Sequence, residues 1–165
     1  MPLVVKKDRT EAVLSAVADL VKTKLLVGIP AETADRAAEA GEPQPPNNAT
    51  IGYAMEFGLP ERNIPARPHL LPGVQAVLPQ AVSRLRTAGT AAIDGDSGAV
   101  TKAYHTVGLL AQNAIRAKIT EGPFVPLSPR TLARRRARGR KGEKPLTDTG
   151  ALRAAYTYVI RGKGR

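Results

Sequence analysis

The sequence predicts an α+β fold: a small antiparallel sheet, with strands near 24–29 and 156–161, packed on several helices and joined by long loops. Three observations lead there. A short stretch near the start alternates apolar residues with period two, and another near the end is aromatic and β-branched, while the segments between repeat at the three-and-four spacing of a helix face. Apolar residues make up 42% of the chain but aromatics only 4%, so the core must be built mainly from Ala, Val and Leu. That composition favours small helical packing surfaces over a large aromatic pocket. The length of 165 residues suits one domain, 1–165.

Asp8-Arg9-Thr10-Glu11 reads as a capping box, followed by a helical stripe of Val13, Leu14, Val17, Leu20 and Val21. The period then changes. Leu25, Val27 and Ile29 alternate with Lys24, Leu26 and Gly28 in a strand stopped by Pro30. Residues 31–48 are small, acidic and proline-rich, and are expected to form a mobile surface loop. Asn48 is placed to cap a short helix bearing Ile51, Ala54 and Met55, with Gly58 as its left-handed terminator.

Prolines at 60, 65, 68 and 72 stiffen an extended connection, and Pro72 suits a first helical position. Val74, Val77, Leu78, Ala81, Val82 and Leu85 form the next stripe, which breaks over 91–97. Asp96 or Ser97 is expected to cap a longer helix carrying Val100, Tyr104, Val107, Ala111, Ala114 and Ile115, ended by Gly122-Pro123. These two helices should pair as a hairpin. Ser128-Pro129 starts another helix within a basic arm, 128–146, that has almost no apolar face beyond Leu132 and Ala133. Such an arm is expected to be solvated or held by a partner. Thr147-Asp148-Thr149-Gly150 then sets one more helical turn, with Leu152 and Ala155 inward, before the terminal strand.

Charge is unevenly spread. Residues 1–100 carry ten Lys/Arg against eleven Asp/Glu, whereas 101–165 carry fifteen against three, which accounts for the net +11. Eight cations fall within fifteen residues: Arg130, Arg134, Arg135, Arg136, Arg138, Arg140, Lys141 and Lys144, against the single acid Glu143. A cluster like this binds phosphate backbones strongly and without reading sequence. It has no interleaved aromatics to stack bases, so an acidic protein surface is an equal candidate for its partner.

Signals for catalysis are sparse. There is no cysteine, which removes disulfides, thiolate nucleophiles and thiolate metal ligands. His69 and His105 lack the spacing of metal ligands, and hydrogen-bonded surface or interface roles are the plainer reading. Glu56 is the one acid in an otherwise uncharged helix. It could act as a general base, but a salt bridge to Arg62, Arg67 or another subunit is simpler. No phosphate loop, dinucleotide fingerprint or nucleophile elbow is present, so no catalytic, cofactor-binding or metal-binding residue is assigned. No signal peptide is recognisable, and no apolar stretch reaches the ~20 residues of a membrane helix.

Three stretches, in order, resemble the tail-completion, or head–tail joining, family of tailed bacteriophages. They are Leu25-Leu26-Val27-Gly28-Ile29-Pro30; then Ile51-Gly52-Tyr53-Ala54-Met55-Glu56-Phe57-Gly58 with Ile64-Pro65-Ala66-Arg67-Pro68-His69-Leu70; and finally Ile119-Thr120, Pro126-Leu127-Ser128-Pro129-Arg130-Thr131-Leu132 and Lys144-Pro145-Leu146-Thr147-Asp148-Thr149-Gly150-Ala151-Leu152. His69 departs from the aromatic, commonly Phe, at that place in the family. The resemblance implies a non-enzymatic virion protein made in the host cytoplasm, placed at the tail or neck, and assembled around or within a ring, with sixfold symmetry as a guess. Its partners would be other neck and tail proteins, further copies of itself, and packaged DNA contacted without sequence specificity, with no membrane. Glu56, Phe57, Arg67 and His69 are then candidates for the subunit interface, with Phe57 also an anchor for its helix. The alternative is a small basic nucleic-acid-binding module; a hydrolase acting through Glu56 and His69 ranks last.

Overall fold

The structure is a computed structural model and describes residues 8, 10–38, 44–96 and 98–162. Among these, six α-helices accompany a two-stranded antiparallel sheet, an α+β arrangement. In chain order they are α1 (Thr10–Lys22), β1 (Thr23–Gly28), α2 (Asn48–Phe57), α3 (Leu70–Ile93), α4 (Ala99–Glu121), α5 (Pro129–Ala137), α6 (Ala151–Ala155) and β2 (Thr157–Gly162).

β1 and β2 come from opposite ends of the chain and pair from Thr23↔Gly162 to Gly28↔Thr157. Leu25 lies opposite Ile160, and Val27 opposite Tyr158, on the face covered by α4. Leu26, one position out of phase, is exposed on the other face, as expected for a sheet covered on one side.

α3 and α4 form the expected hairpin and carry most of the core. Two apolar clusters result. Ile115, Ile119, Leu152 and Tyr156 pack with Ile51, Leu70 and Val74 at one end. Ala92, Val100 and Tyr104 pack with Leu25, Leu85 and Ile160 at the other. Gly108 makes the contact with the sheet close, since a Cβ there would overlap the Tyr158 ring.

Several local expectations are corrected. The cap of α2 is Asn47, whose side chain accepts from Thr50 N–H at 2.8 Å, while Asn48 is buried as the first helical residue. α3 starts at Leu70, two residues before Pro72, and runs through Pro79 to Ile93. α4 is entered through Gly98, which donates its N–H to Asp96 Oδ1 at 3.0 Å, whereas Ser97 lies outside the described residues. The stripe of α1 is largely in solvent: Leu14, Val17 and Val21 are 64%, 44% and 77% exposed. α1 rests on α3 and β1.

The segment expected as a mobile loop is anchored where it is described. Ala31–Thr33 forms one 3-10 turn, Ala34 is buried and accepts from Asn48 N–H at 2.6 Å, and Gln44 donates to Arg36 O at 2.7 Å. Residues 39–43 of that loop lie outside the described residues.

Candidate functional site

Glu56, Arg67 and His69, flagged separately in the sequence, converge on one buried polar centre beneath the start of α3. Glu56 sits on the inward side of α2, and its carboxylate faces three successive backbone donors. Oε2 accepts from His69 N–H at 2.8 Å and Leu70 N–H at 2.9 Å, while Oε1 accepts from Leu71 N–H at 3.0 Å. Pro72 has no N–H, and Gly73 N–H bonds to His69 O. Every donor of the opening turn is therefore satisfied, by a carboxylate fourteen residues upstream where a local cap would ordinarily serve. Negative charge at this end also suits the helix dipole. Burial opposes the charge on Glu56, but the three N–H bonds and neighbouring His69 outweigh it and hold its carboxyl below the usual range.

His69 is fully buried. Its Nδ1 lies 2.8 Å from Arg67 O and 3.3 Å from Glu56 Oε2, both acceptors, so Nδ1 carries the proton. Nε2 consequently accepts from the Tyr156 hydroxyl at 2.7 Å, with the two rings edge to face. The tautomer is assigned from these partners. Burial pushes His69 toward the neutral form, against the pull of the Arg67 carbonyl and the Glu56 carboxylate. Burial, and then the charge of Glu56, raises the Tyr156 phenol well above its usual value. A neutral imidazole and a neutral phenol are what this chain of bonds requires.

The chemistry available here is cohesive. A general base must come within about 2.6–3.2 Å of a substrate proton, and His69 has no surface from which to do so. Burial also takes Glu56 and His69 away from the surface, so as subunit contacts these two are corrected: they join α2, the start of α3 and Tyr156 within one chain, while Arg67 is buried but lines a cleft. Glu56 forms a salt bridge with neither Arg62 nor Arg67. Phe57 is corrected in the opposite sense as a helix anchor. Glu56 takes the inward position, and the next residue round the helix points outward, 58% exposed and stacked on Tyr53 at 4.8 Å. Phe57 thus remains available as a surface contact.

Arg67 leads from this centre to a cleft of about 530 Å³ between α2, the 63–65 arm and the 126–150 segment. Its Nε and Nη2 donate to Val125 O at 3.0 Å and Pro126 O at 3.2 Å. Burial first, and the nearby charge of Arg135 second, lower its affinity for its proton. Arg135 is the buried member of the basic cluster. Its Nη1 donates to Gly142 O and Lys144 O, both at 2.9 Å, and its Nε lies 3.3 Å from Asp148 Oδ1. Asp148 Oδ2 accepts from Arg140 at 2.6 Å.

The basic arm is tied to its own chain at Arg135 and Arg140, while most of its surface stands in solvent. α5 begins as foreseen, with the Ser128 hydroxyl accepting from Thr131 N–H, and Arg135 ties its last turn to the following loop. Arg136 pairs with Glu143 at 2.8 Å, and Arg138 closes the helix. Arg130, Arg134, Lys141 and Lys144 project into solvent with no side-chain hydrogen bond or ion pair among the described residues.

Tyr156, Arg36 and the cleft were not foreseen. Tyr156 looks like any strand aromatic, and only the strand's return to the start of α3 reveals its role. His105, the other histidine, is exposed and bonds the Tyr158 hydroxyl at 3.0 Å. Among the described residues no group of three or more His, Asp or Glu is placed to hold a metal, and no helix is long and apolar enough to cross a membrane. Comparison with family models, with curated proteins and with solved structures finds no match to this chain.

Proposed function

We propose that this protein is a structural component of a tailed-phage particle that completes the tail and joins it to the head at the neck, assembled around or within a ring. The observation that supports this reading is how the stretches resembling the tail-completion family interlock. Glu56 and His69 lock the second stretch onto itself, Arg67 reaches from it to Pro126 of the third, and Asp148 of the third is held by Arg135 between that stretch's two parts. The outward Tyr53–Phe57 pair and the four free cations would then meet other subunits or packaged DNA. Many copies in a ring multiply a modest contact at each. Deleting the gene should leave filled heads and finished tails that fail to join; infectious particles in normal yield would refute the reading.

The four solvent-facing cations also favour a second reading, a small nucleic-acid-binding module. Changing Arg130, Arg134, Lys141 and Lys144 together to Ala should then reduce the log–log salt slope of duplex binding by up to about 3–4, at ~0.9 per phosphate contact. An unchanged slope would point to an acidic protein surface.

A further inference from the structure

We propose that the cleft between α2 and the 126–150 segment is a docking site for a peptide segment of a partner protein that carries a carboxylate flanked by apolar side chains. The inference stands on the cleft's geometry and is independent of the neck assignment.

The first support is an uncompensated charge. Arg67 is 6% exposed, yet its guanidinium faces two carbonyl oxygens and no carboxylate among the described residues. Nη1 has no hydrogen-bond partner among the described residues, and Arg67 is one of the residues lining the cleft. A buried cation is ordinarily paired, because carbonyl dipoles only partly replace lost hydration. Among the described residues three guanidiniums line the cleft, Arg36, Arg67 and Arg135, against the single carboxylate of Asp148. Asp148 is already shared by Arg135 and Arg140. Among the described residues Arg36 bonds only Thr149 Oγ1, at a long 3.4 Å.

The second support is the wall. Ile51, Met55, Ile64, Leu127 and Leu146 line the same hollow. Its 530 Å³ falls within the ~300–1,000 Å³ of sites that enclose ligands, which are typically apolar with a few placed polar groups. A phosphate backbone would satisfy the guanidiniums but leave these walls uncovered, and a duplex is too wide to enter. A carboxylate with apolar neighbours uses both, with the remaining Nη1 of Arg67 donating a charge-assisted hydrogen bond to it.

Nuclear magnetic resonance on the isotope-labelled full chain tests this, with three probes: the end-capped tripeptide leucyl-aspartyl-leucine, its asparagine analogue, and inorganic phosphate. The aspartyl peptide should shift the Arg67 Nε–H and Met55 methyl signals saturably. The asparagine analogue should bind roughly ten- to hundredfold more weakly, the worth of a charge-assisted hydrogen bond. Arg36→Gln, at the half-buried rim, should weaken the aspartyl peptide about two- to fivefold with the rest of the spectrum unchanged. Arg67→Met should abolish binding; if that chain fails to fold, the analogue and Arg36→Gln still decide. No saturable shift with the aspartyl peptide, equal binding of the asparagine analogue, or phosphate moving both reporters as strongly would each overturn the proposal.

Discussion

Glu56→Gln isolates the charge of the long-range cap, because the two side chains have nearly the same shape. Oε2 serves two donors and Oε1 serves one. The amide will therefore turn its oxygen toward His69 and Leu70, leaving its NH2 against the Leu71 N–H, donor against donor. Two charge-assisted bonds become neutral, at a cost of about 1 kcal/mol each, and one is lost at about 1.5–3 kcal/mol. Removing a buried charge returns part of this, so the net loss should be about 2–4 kcal/mol at neutral pH. Urea unfolding followed by far-ultraviolet circular dichroism reads it directly, since the chain has no tryptophan to report by fluorescence. With an m value of ~2 kcal/mol/M, the midpoint should fall by roughly 1–2 M. Acid supplies an internal control. The folded Glu56 carboxyl titrates below its unfolded value of 4.5, so its contribution is complete above that pH and is lost as pH falls through the lower folded value. Parent and variant should converge in that window. A midpoint within about 0.2 M of the parent at neutral pH, or a gap that persists undiminished at pH 3, would refute the account of α3's start.

Three further outcomes follow from the same interior. His69→Phe removes the acceptor of the buried Tyr156 hydroxyl and should cost about 1–3 kcal/mol, much of it recovered when Tyr156→Phe is added; additive losses in the double-mutant cycle would contradict the bond. Gly108→Ala forces a methyl into the Tyr158 ring and should cost about 2 kcal/mol, or roughly 4–8 °C in Tm for a domain of this size, with an unchanged Tm as the contrary result. Arg135→Ala should destabilise the chain by about 3–5 kcal/mol and release hydrogen-exchange protection after α5, while Arg134→Ala stays within about 0.5 kcal/mol; equal effects would deny Arg135 its special place.

What could be read from the sequence was what is decided locally. The alternation at Leu25, Val27 and Ile29 marked β1, the β-branched end marked β2, and Ser128-Pro129 started α5 at the right residue. The start of α3 was misjudged because Pro72 is a local signal, whereas the cap that stabilises two earlier helical residues comes from another helix. Nothing in the spacing from Glu56 to Leu70 announces that. Arg135 shows the same limit. Its neighbours Arg134 and Arg136 have the same composition and charge, and only the direction set by the turn of α5 sends one inward and the others out. The stripe of α1 was legible as helical, but periodicity says which residues share a face and not what covers it, and Leu14, Val17 and Val21 stand exposed.

The pairing of β1 with β2 also sets a schedule. As the chain leaves the ribosome, β1 appears early, yet its partner strand is not made until α2 through α6 have followed. At ~5–20 residues per second, that interval is on the order of ten seconds. During it, β1 presents an open edge, and Leu25 and Val27 have only part of their eventual cover. Tyr156, which precedes β2, arrives in the same final stretch and completes the bond to His69. A nascent chain halted before residue 156 thus lacks both its sheet and its central hydrogen bond, leaving it open to chaperones and proteases. Pairing of the sheet and the His69–Tyr156 bond therefore come together, late in synthesis, once β2 has been made.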